Sequence, residues 1–552
     1  MALAFCPKHS YNLSFSNYRR CFMAYIVHHK NKKTGETYVF SAESYWDKEK
    51  KAPRNRQVCL GKLDKATGEV IPTKRKRKIV ERAVAASASA TTLVIGPSLI
   101  LDKVAKSTGL ASVLKRCFPS IYNEILSLIY FIVQKGVALS RCESWSTSHR
   151  HPAAHSLTSQ QIHELLSLIT EDERQHFQAL WLQKIVEHDY LCYDITSISS
   201  YARSNEYIRY GYNRDGDKLP QLNFVLLFGQ KSRLPAYYRR MQGNISDVAT
   251  LNNTVSSLDF LDSDKLHLIL DKGFYSKANV DTLLQFGHHF TMAVPIGRKW
   301  IESYIDDHYE TIELPQNYHK TEGGDPLYAV TVLHKWGEKR KRIYVHLYYN
   351  AKQAATEFDR FTNNLLQYKS ELESGERVAE HEEQYERYFI VKNTPKRGLS
   401  VKYNNEAITQ HRKRYAGFFC IISVVFKEPM EALKTYRDKD IVEKSFDDLK
   451  NQMDMKRLRV HSAQIMDSRI FLQFLALILL SKIRNTAQES DKLKNLSIRE
   501  IMEHAESITK ISYSGRYGSV IAETNPRQRQ IMEAFDIKEL KLLTAVTKCG
   551  TA

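Results

Sequence analysis

A chain of 552 residues is three to four times the ~150 residues of a typical domain. Lys and Arg total 81 against 62 Asp and Glu, a formal net charge of +19. That points to a polyanionic partner, nucleic acid ahead of an anionic membrane surface. With 43% hydrophobic and 11% aromatic residues, a sizeable core excludes global disorder. The longest apolar run, 470–480, is broken by Gln473 and falls well short of the ~20 residues of a membrane span.

The N-terminus lacks the continuous apolar stretch of a secretory leader. Met23, just ahead of a strand-like run, offers an alternative start of translation. Eight scattered cysteines without a CxxC pair argue against a disulfide framework or a cysteine zinc site and fit a reducing cytosol. The group His149, His151 and His155 near Cys142 reads as a polar loop, because no second ligand pair stands at zinc-finger spacing.

Along the chain, 25–60 alternates with turn signals at Asn31 and Gly35, the pattern of a small β unit. The basic cluster 74–78 and the Ala/Ser/Thr-rich 83–92 read equally as a solvated connector and as a phosphate-contacting arm. Residues 1–78 thus form an N-terminal β unit with a basic segment. Helical spacing (Leu99, Val104, Leu110, Leu114; Ile125, Leu128, Ile129, Ile132) predicts a helical domain over 79–187, suited to binding DNA ends, although it shows no clear helix-turn-helix signature.

Strands are then predicted at 191–195, 222–228 and 234–241, a helix from Asp247 through Leu258, a strand at 266–270, a helix opening near Ser276 and a strand at 290–294. That is the order of an α/β, ribonuclease-H-like core over 188–295, a mixed sheet flanked by helices. Residues 296–415 interrupt it as an insertion, with strands at 328–334 and 343–349 and an acidic amphipathic helical stretch from Glu371 to Glu386 that would turn away from phosphates. The core resumes over 416–490, with a strand at 417–425 and one long helical region at 430–484. A mixed tail, 491–552, follows.

Three acids stand out. Asp194 interrupts an apolar strand, and Asp271 ends the run Leu266-His-Leu-Ile-Leu with Gly273 allowing a sharp turn after it. Such carboxylates are costly unless paired, solvated or metal-bound. On a continuous helix, Tyr436, Lys439 and Lys450 fall at about +20°, −40° and −20° from Glu443, one stripe roughly 60° wide. Val442, Phe446 and Leu449 fall on the flank that would pack on the sheet. Asp440 and Asp447 lie near the same stripe, so periodicity alone does not select Glu443, and an exposed Lys439–Glu443 pair would satisfy the same pattern.

The spacing Tyr436-x2-Lys439-x3-Glu443-x6-Lys450 resembles the Tyr-Arg-Glu-Lys signature of DDE transposases of bacterial insertion sequences, in the IS-four-like superfamily. The Gly243-Asn244-x-x-Asp247 turn, Asp271-x-Gly273-x-Tyr275 and Gly417 are similar to that family too. The β unit and overall length resemble the branch named after insertion sequence sixteen-thirty-four. Lys439 stands where the family has Arg, keeping charge but losing the bidentate fork. The gaps of 77 positions from Asp194 to Asp271 and 172 from Asp271 to Glu443 match a core with an insertion, which the resemblance implies is largely β.

The resemblance implies an enzyme that cuts at the terminal inverted repeats of its own element and joins the 3′-hydroxyls to target DNA. Asp194, Asp271 and Glu443 would hold two Mg²⁺ ions, or Mn²⁺, with Asp194 bridging. Tyr436, Lys439 and Lys450 would contact phosphates, as would Lys339 and Arg340 in the turn after Trp336. The family's hairpin intermediate would need an extruded base stacked on an aromatic ring, with Trp336 first choice and Trp300 second. A homodimer on double-stranded DNA in a bacterial cytoplasm is implied, with no membrane and no nucleotide cofactor, since no Gly-rich nucleotide loop is present. The rival readings are a catalytically inactive DNA-binding protein of the same fold and a nuclease without strand transfer.

Overall fold

Two alternating runs after Tyr25 pair as antiparallel strands. The computed structural model describes residues 25–538 except 33, 48–51, 66, 72–89, 187–189, 203–204, 261–264, 321–325, 396–397, 461 and 514–517. Met23 and the basic cluster 74–78 lie outside the described residues. Two units are distinguished: residues 1–92 with 511–520, and residues 93–510 with 521–552.

In the first unit, β1 (Tyr25–Lys30), β2 (Thr37–Asp47), β3 (Ala52–Leu63) and β4 (Val70–Ile71) form a meander in that order. A register shift between Val39 and Phe40 lets Val39 and Ala42, an odd number of residues apart, both be buried. The short strand β5 (Thr91–Val94) follows in the chain.

In the second unit, helices from Gly96–Ser107 to Glu171–Val186 pack around the long helix Ala463–Glu489. That helix is apolar on nearly every side because it is enclosed on nearly every side. Phe471 meets Phe118 and Phe177 of the surrounding helices, and Phe474 meets Tyr238 of the sheet, so helices and sheet share one core. By length and composition alone this helix could cross a bilayer, but 78% of its apolar window is buried within the fold.

The main sheet contains β6 (Leu191–Ser200), β7 (Gln221–Gly229), β8 (Pro235–Gln242), β9 (His267–Leu270) and β10 (His289–Val294). Their order is β8-β7-β6-β9-β10, with β6, β7 and β8 antiparallel and β9 parallel to both β6 and β10. The strands expected at 191–195, 222–228, 234–241, 266–270 and 290–294 are all present.

The insertion does not form a separate β layer. Its strands β11 (Tyr318–Lys320), β12 (Pro326–Trp336) and β13 (Lys341–Tyr349) extend the main sheet. The rest is mostly helical, apart from the hairpin of β14 (Phe389–Thr394) and β15 (Gly398–Tyr403). The helix Ala351–Ser374 is capped by Asn350 and stopped by Gly375 at φ 76°. The largely β character thus covers only part of the insertion, because Asn350 and Gly375 bracket a long helix with i,i+4 pairs such as Lys369–Glu373, and the expected acidic helical stretch falls on the end of that helix and on the helix Glu382–Tyr388. Glu371 in the acidic stretch accepts from Tyr385 and faces His381, an internal role for at least that carboxylate.

Strand β16 (Phe418–Ser423) links the insertion strands to the core, lying antiparallel to both β10 and β13. The single helical region expected at 430–484 is broken. It divides into Pro429–Arg437, Asp440–Asp447, a π-helical turn Asp448–Gln452, strand β17 (Arg457–Leu458) and the long helix. The breaks are local: the Lys439 amide turns back to the Tyr436 carbonyl, Asp454 sits at φ 56°, and β17 pairs with the end of β6.

Candidate active site

Strand β9 ends at Leu270, opposite Tyr193 of β6, so Asp194 and Asp271 each stand one residue beyond the last paired rung of neighbouring parallel strands. Such strands lie ~4.8 Å apart. Asp194 remains in the ladder opposite Leu226 of β7, whereas Asp271 leaves it and caps the turn Lys272–Phe274, accepting from the Lys272 amide at 2.8 Å. An acid is tolerated in apolar β6 because β9 ends beside it and leaves a notch.

The two carboxyls have opposite tendencies. Burial pushes Asp194 up to about 6, and the Asp271 charge adds to this, against the Ile195 amide, Lys439 and Arg214. At Asp271 burial also acts upward but is outweighed by the Tyr436 hydroxyl, the Lys439 charge and the Lys272 amide, so it lies below its ordinary range. Tyr436 donates to Asp271 Oδ1 at 2.6 Å, and Lys439 Nζ stands 3.5 Å from Oδ2. Burial, then the bond to Asp271, drives the phenol of Tyr436 well above its usual value.

Glu443 lies on the short helix Asp440–Asp447, which packs on β6. Its side chain is exposed, and among the described residues no three His, Cys, Asp or Glu side chains come close enough together to hold a metal. The structure therefore joins the two aspartates, Tyr436 and Lys439, and leaves Glu443 outside that group. The expected continuous stripe is not present, because the helix breaks between Arg437 and Asp440.

Lys450 Nζ reaches both oxygens of Asp215, at 2.7 and 2.8 Å, on the loop between β6 and β7. On the same loop Arg214 pairs with Asp247, and Asp217 with Arg457 at 3.0 Å. Arg214 and Asp215 were not singled out from sequence. Their loop carries no motif, and only the fold brings it to Asp194 and Lys450.

Trp336 is a core residue, only 8% exposed, with its indole N–H donating to Asp281 at 2.6 Å and its ring edge-on to Trp300. In this conformation it offers no face to an extruded base. Trp300 is half-buried and donates to the Tyr275 hydroxyl at 2.9 Å. Lys339 and Arg340 are exposed in the β12–β13 turn, Arg340 at φ 50°.

The chemistry of the donor set suits a hard divalent cation: adjacent carboxylates, one of them disfavoured as an anion unless a positive charge is brought near. The family model described as Transposase DDE domain matches residues 187–479, a span containing both aspartates, Tyr436, Glu443 and Lys450. A cryo-EM structure of a piggyBac transposase synaptic complex with hairpin DNA is similar at 8% identity and a TM-score of 0.31, over 82% of this chain and 73% of that one. No curated protein matches.

Proposed function

The chain belongs to the family with a transposase DDE domain, and from that premise we propose that it cuts at the ends of its own mobile element and joins them to target DNA. It is a DNA-binding, DNA-cleaving transposase. The single observation that carries the finer reading is the placement of Asp194 and Asp271, each one residue past the last β6–β9 rung, at the rim of the sheet. The strand order β8-β7-β6-β9-β10, with its mixture of directions, supports a ribonuclease-H-like core. The branch is proposed as IS-four-like and bacterial, on the Tyr436-to-Lys450 spacing.

Asp194 and Asp271, with Glu443 as the third donor, would hold Mg²⁺ or Mn²⁺, two ions per site. Ions held there supply activation of a water or 3′-hydroxyl and neutralise charge on the leaving oxygen. Tyr436 keeps Asp271 ionised and oriented, and Lys439 neutralises the pair while DNA is absent. The break at Asp438 and Lys439 is the hinge about which the short helix would carry Glu443 inward. Lys439, Lys450, Lys339 and Arg340 are proposed to grip phosphates, and two copies on DNA to hold the two ends.

The test is Asp271→Asn with labelled element ends in Mg²⁺. Cleavage and joining should vanish while DNA affinity stays within a few-fold. A variant that still joined DNA would remove Asp271 from the site. Wild-type protein that released ends and never inserted them would be a nuclease only.

A further inference from the structure

We propose that a cavity of about 420 Å³ beside the Glu443 helix, separate from the carboxylate pair, binds a phosphoryl group. Its walls are the β7–β8 turn, the junction of the helices Pro429–Arg437 and Asp440–Asp447, and the last part of the long helix. Four cations line it: Arg233, Arg437, Lys444 and Arg484.

Two carboxylates, Asp438 and Asp440, also line the cavity, so the cations are in excess. Arg484 is held by buried Asp448 at 2.5 Å, and Asp438 accepts from Gln230 at 3.1 Å. Among the described residues the Arg233 side chain has only a long bond to Gln488, 3.3 Å. Among the described residues, no hydrogen bond or ion pair engages the Arg437 or Lys444 side chain.

A second observation points to a ligand. Ser481 also lines the cavity, is 3% exposed, and its hydroxyl has no hydrogen-bond partner. A buried hydroxyl without a partner is costly in a folded protein. A phosphoryl group answers each feature: its oxygens accept from a guanidinium fork, from an ammonium and from a hydroxyl at once.

The location gives the site a consequence. Asp440, Ile441, Lys444 and Ser445 of the short helix face the cavity, so an occupant touches the element that carries Glu443. The ligand's source is either a DNA backbone or a free phosphate. The DNA arm rests on the transposase reading, and the free-phosphate arm does not.

The experiment uses the full chain with two probes: inorganic pyrophosphate by calorimetry, and a duplex of about 40 base pairs titrated from about 50 to 200 mM salt. Arg437→Ala/Lys444→Ala should weaken pyrophosphate binding about tenfold or more and lower the duplex salt slope by about two. Ser481→Ala, which removes no hydrogen bond, should weaken pyrophosphate several-fold and serves if the double variant fails to fold. Lys434→Ala, exposed on the helix Pro429–Arg437 but outside the cavity, should change neither. Loss of pyrophosphate binding with an unchanged duplex slope assigns the site to a free phosphate; loss in both assigns it to DNA. Unchanged binding of both probes, or an equal effect from Lys434→Ala, overturns the proposal. A wild-type protein that bound no duplex would defeat the transposase reading and leave the pyrophosphate result to decide the cavity.

Discussion

Tyr436 and Asp271, 165 residues apart in the chain, are joined by a 2.6 Å hydrogen bond from the phenol to Oδ1. The bond favours the ionised carboxylate, so it helps hold Asp271 below its ordinary range against burial. Because that pKa is depressed on folding, the group's contribution to stability is present above the unfolded-state value and is lost as pH falls through the folded one. Tyr436→Phe removes the lowering contribution. The acidic limb of DNA cleavage should move to higher pH, and a carbon-13 titration of Asp271 should show its carboxyl protonating at higher pH than in the wild type. An unmoved titration would mean that Tyr436 only fills space.

Lys450 donates to both oxygens of the Asp215 carboxylate, and a DNA phosphate would have to displace that carboxylate. Lys450→Ala should weaken duplex binding and flatten its salt dependence by roughly one contact. Asp215→Asn should do the reverse, tightening binding by releasing the ammonium. If neither change alters the slope, Lys450 lies off the DNA.

Asp467 sits at the meeting point of the long helix, the helix Glu171–Val186 and β8, 3.3 Å from Arg174 and 2.5 Å from Arg240. Arg174 and Asp467 are both buried, and Asp467→Ala leaves the Arg174 guanidinium with Glu171 alone as its counter-charge. Loss of one of its two charged hydrogen bonds costs about 1.5–3 kcal/mol. Urea denaturation should show a fall of that size. A loss below about 1 kcal/mol would mark the cluster as solvated, with the weight of a surface ion pair.

How far the sequence carried the site depended on the kind of pattern. Asp194 and Asp271 were legible because an acid within or at the end of a short apolar run stands out from its neighbours, and β-branched residues and flanking turn signals mark such a run as a strand. Tyr436 and Lys439 were found through family spacing. Their true arrangement was not, because a helical wheel assumes one axis and the chain turns between Arg437 and Asp440. Trp336, first choice for a base-stacking ring because it precedes the basic turn of Lys339, Arg340 and Lys341, has its indole pointing inward to Asp281, a contact set by tertiary packing alone. The β6–β7 loop was invisible for the same reason: Asp215 and Lys450 are 235 residues apart.

Two histidines inside the sheet make the fold sensitive to acid. His346 on β13 is fully buried, between the Thr331 hydroxyl at 2.8 Å and the Phe426 carbonyl at 3.2 Å. His267 on β9 faces Thr291. Burial pushes each down to about 4, and at His267 the nearby His289 adds to this. In the unfolded chain a histidine takes its proton near pH 6.5, whereas in the fold these wait until about 4. The unfolded state therefore binds more protons in that window, and stability falls as pH drops from about 6.5 to 4. At pH 5 the loss is about 2 kcal/mol for each ring. His346→Gln keeps a hydrogen-bonding side chain but removes the titration, so its stability difference between pH 7.5 and pH 5 should be smaller than the wild type's by about 2 kcal/mol. Equal differences in the two proteins would show that His346 protonates in the fold as readily as in the open chain.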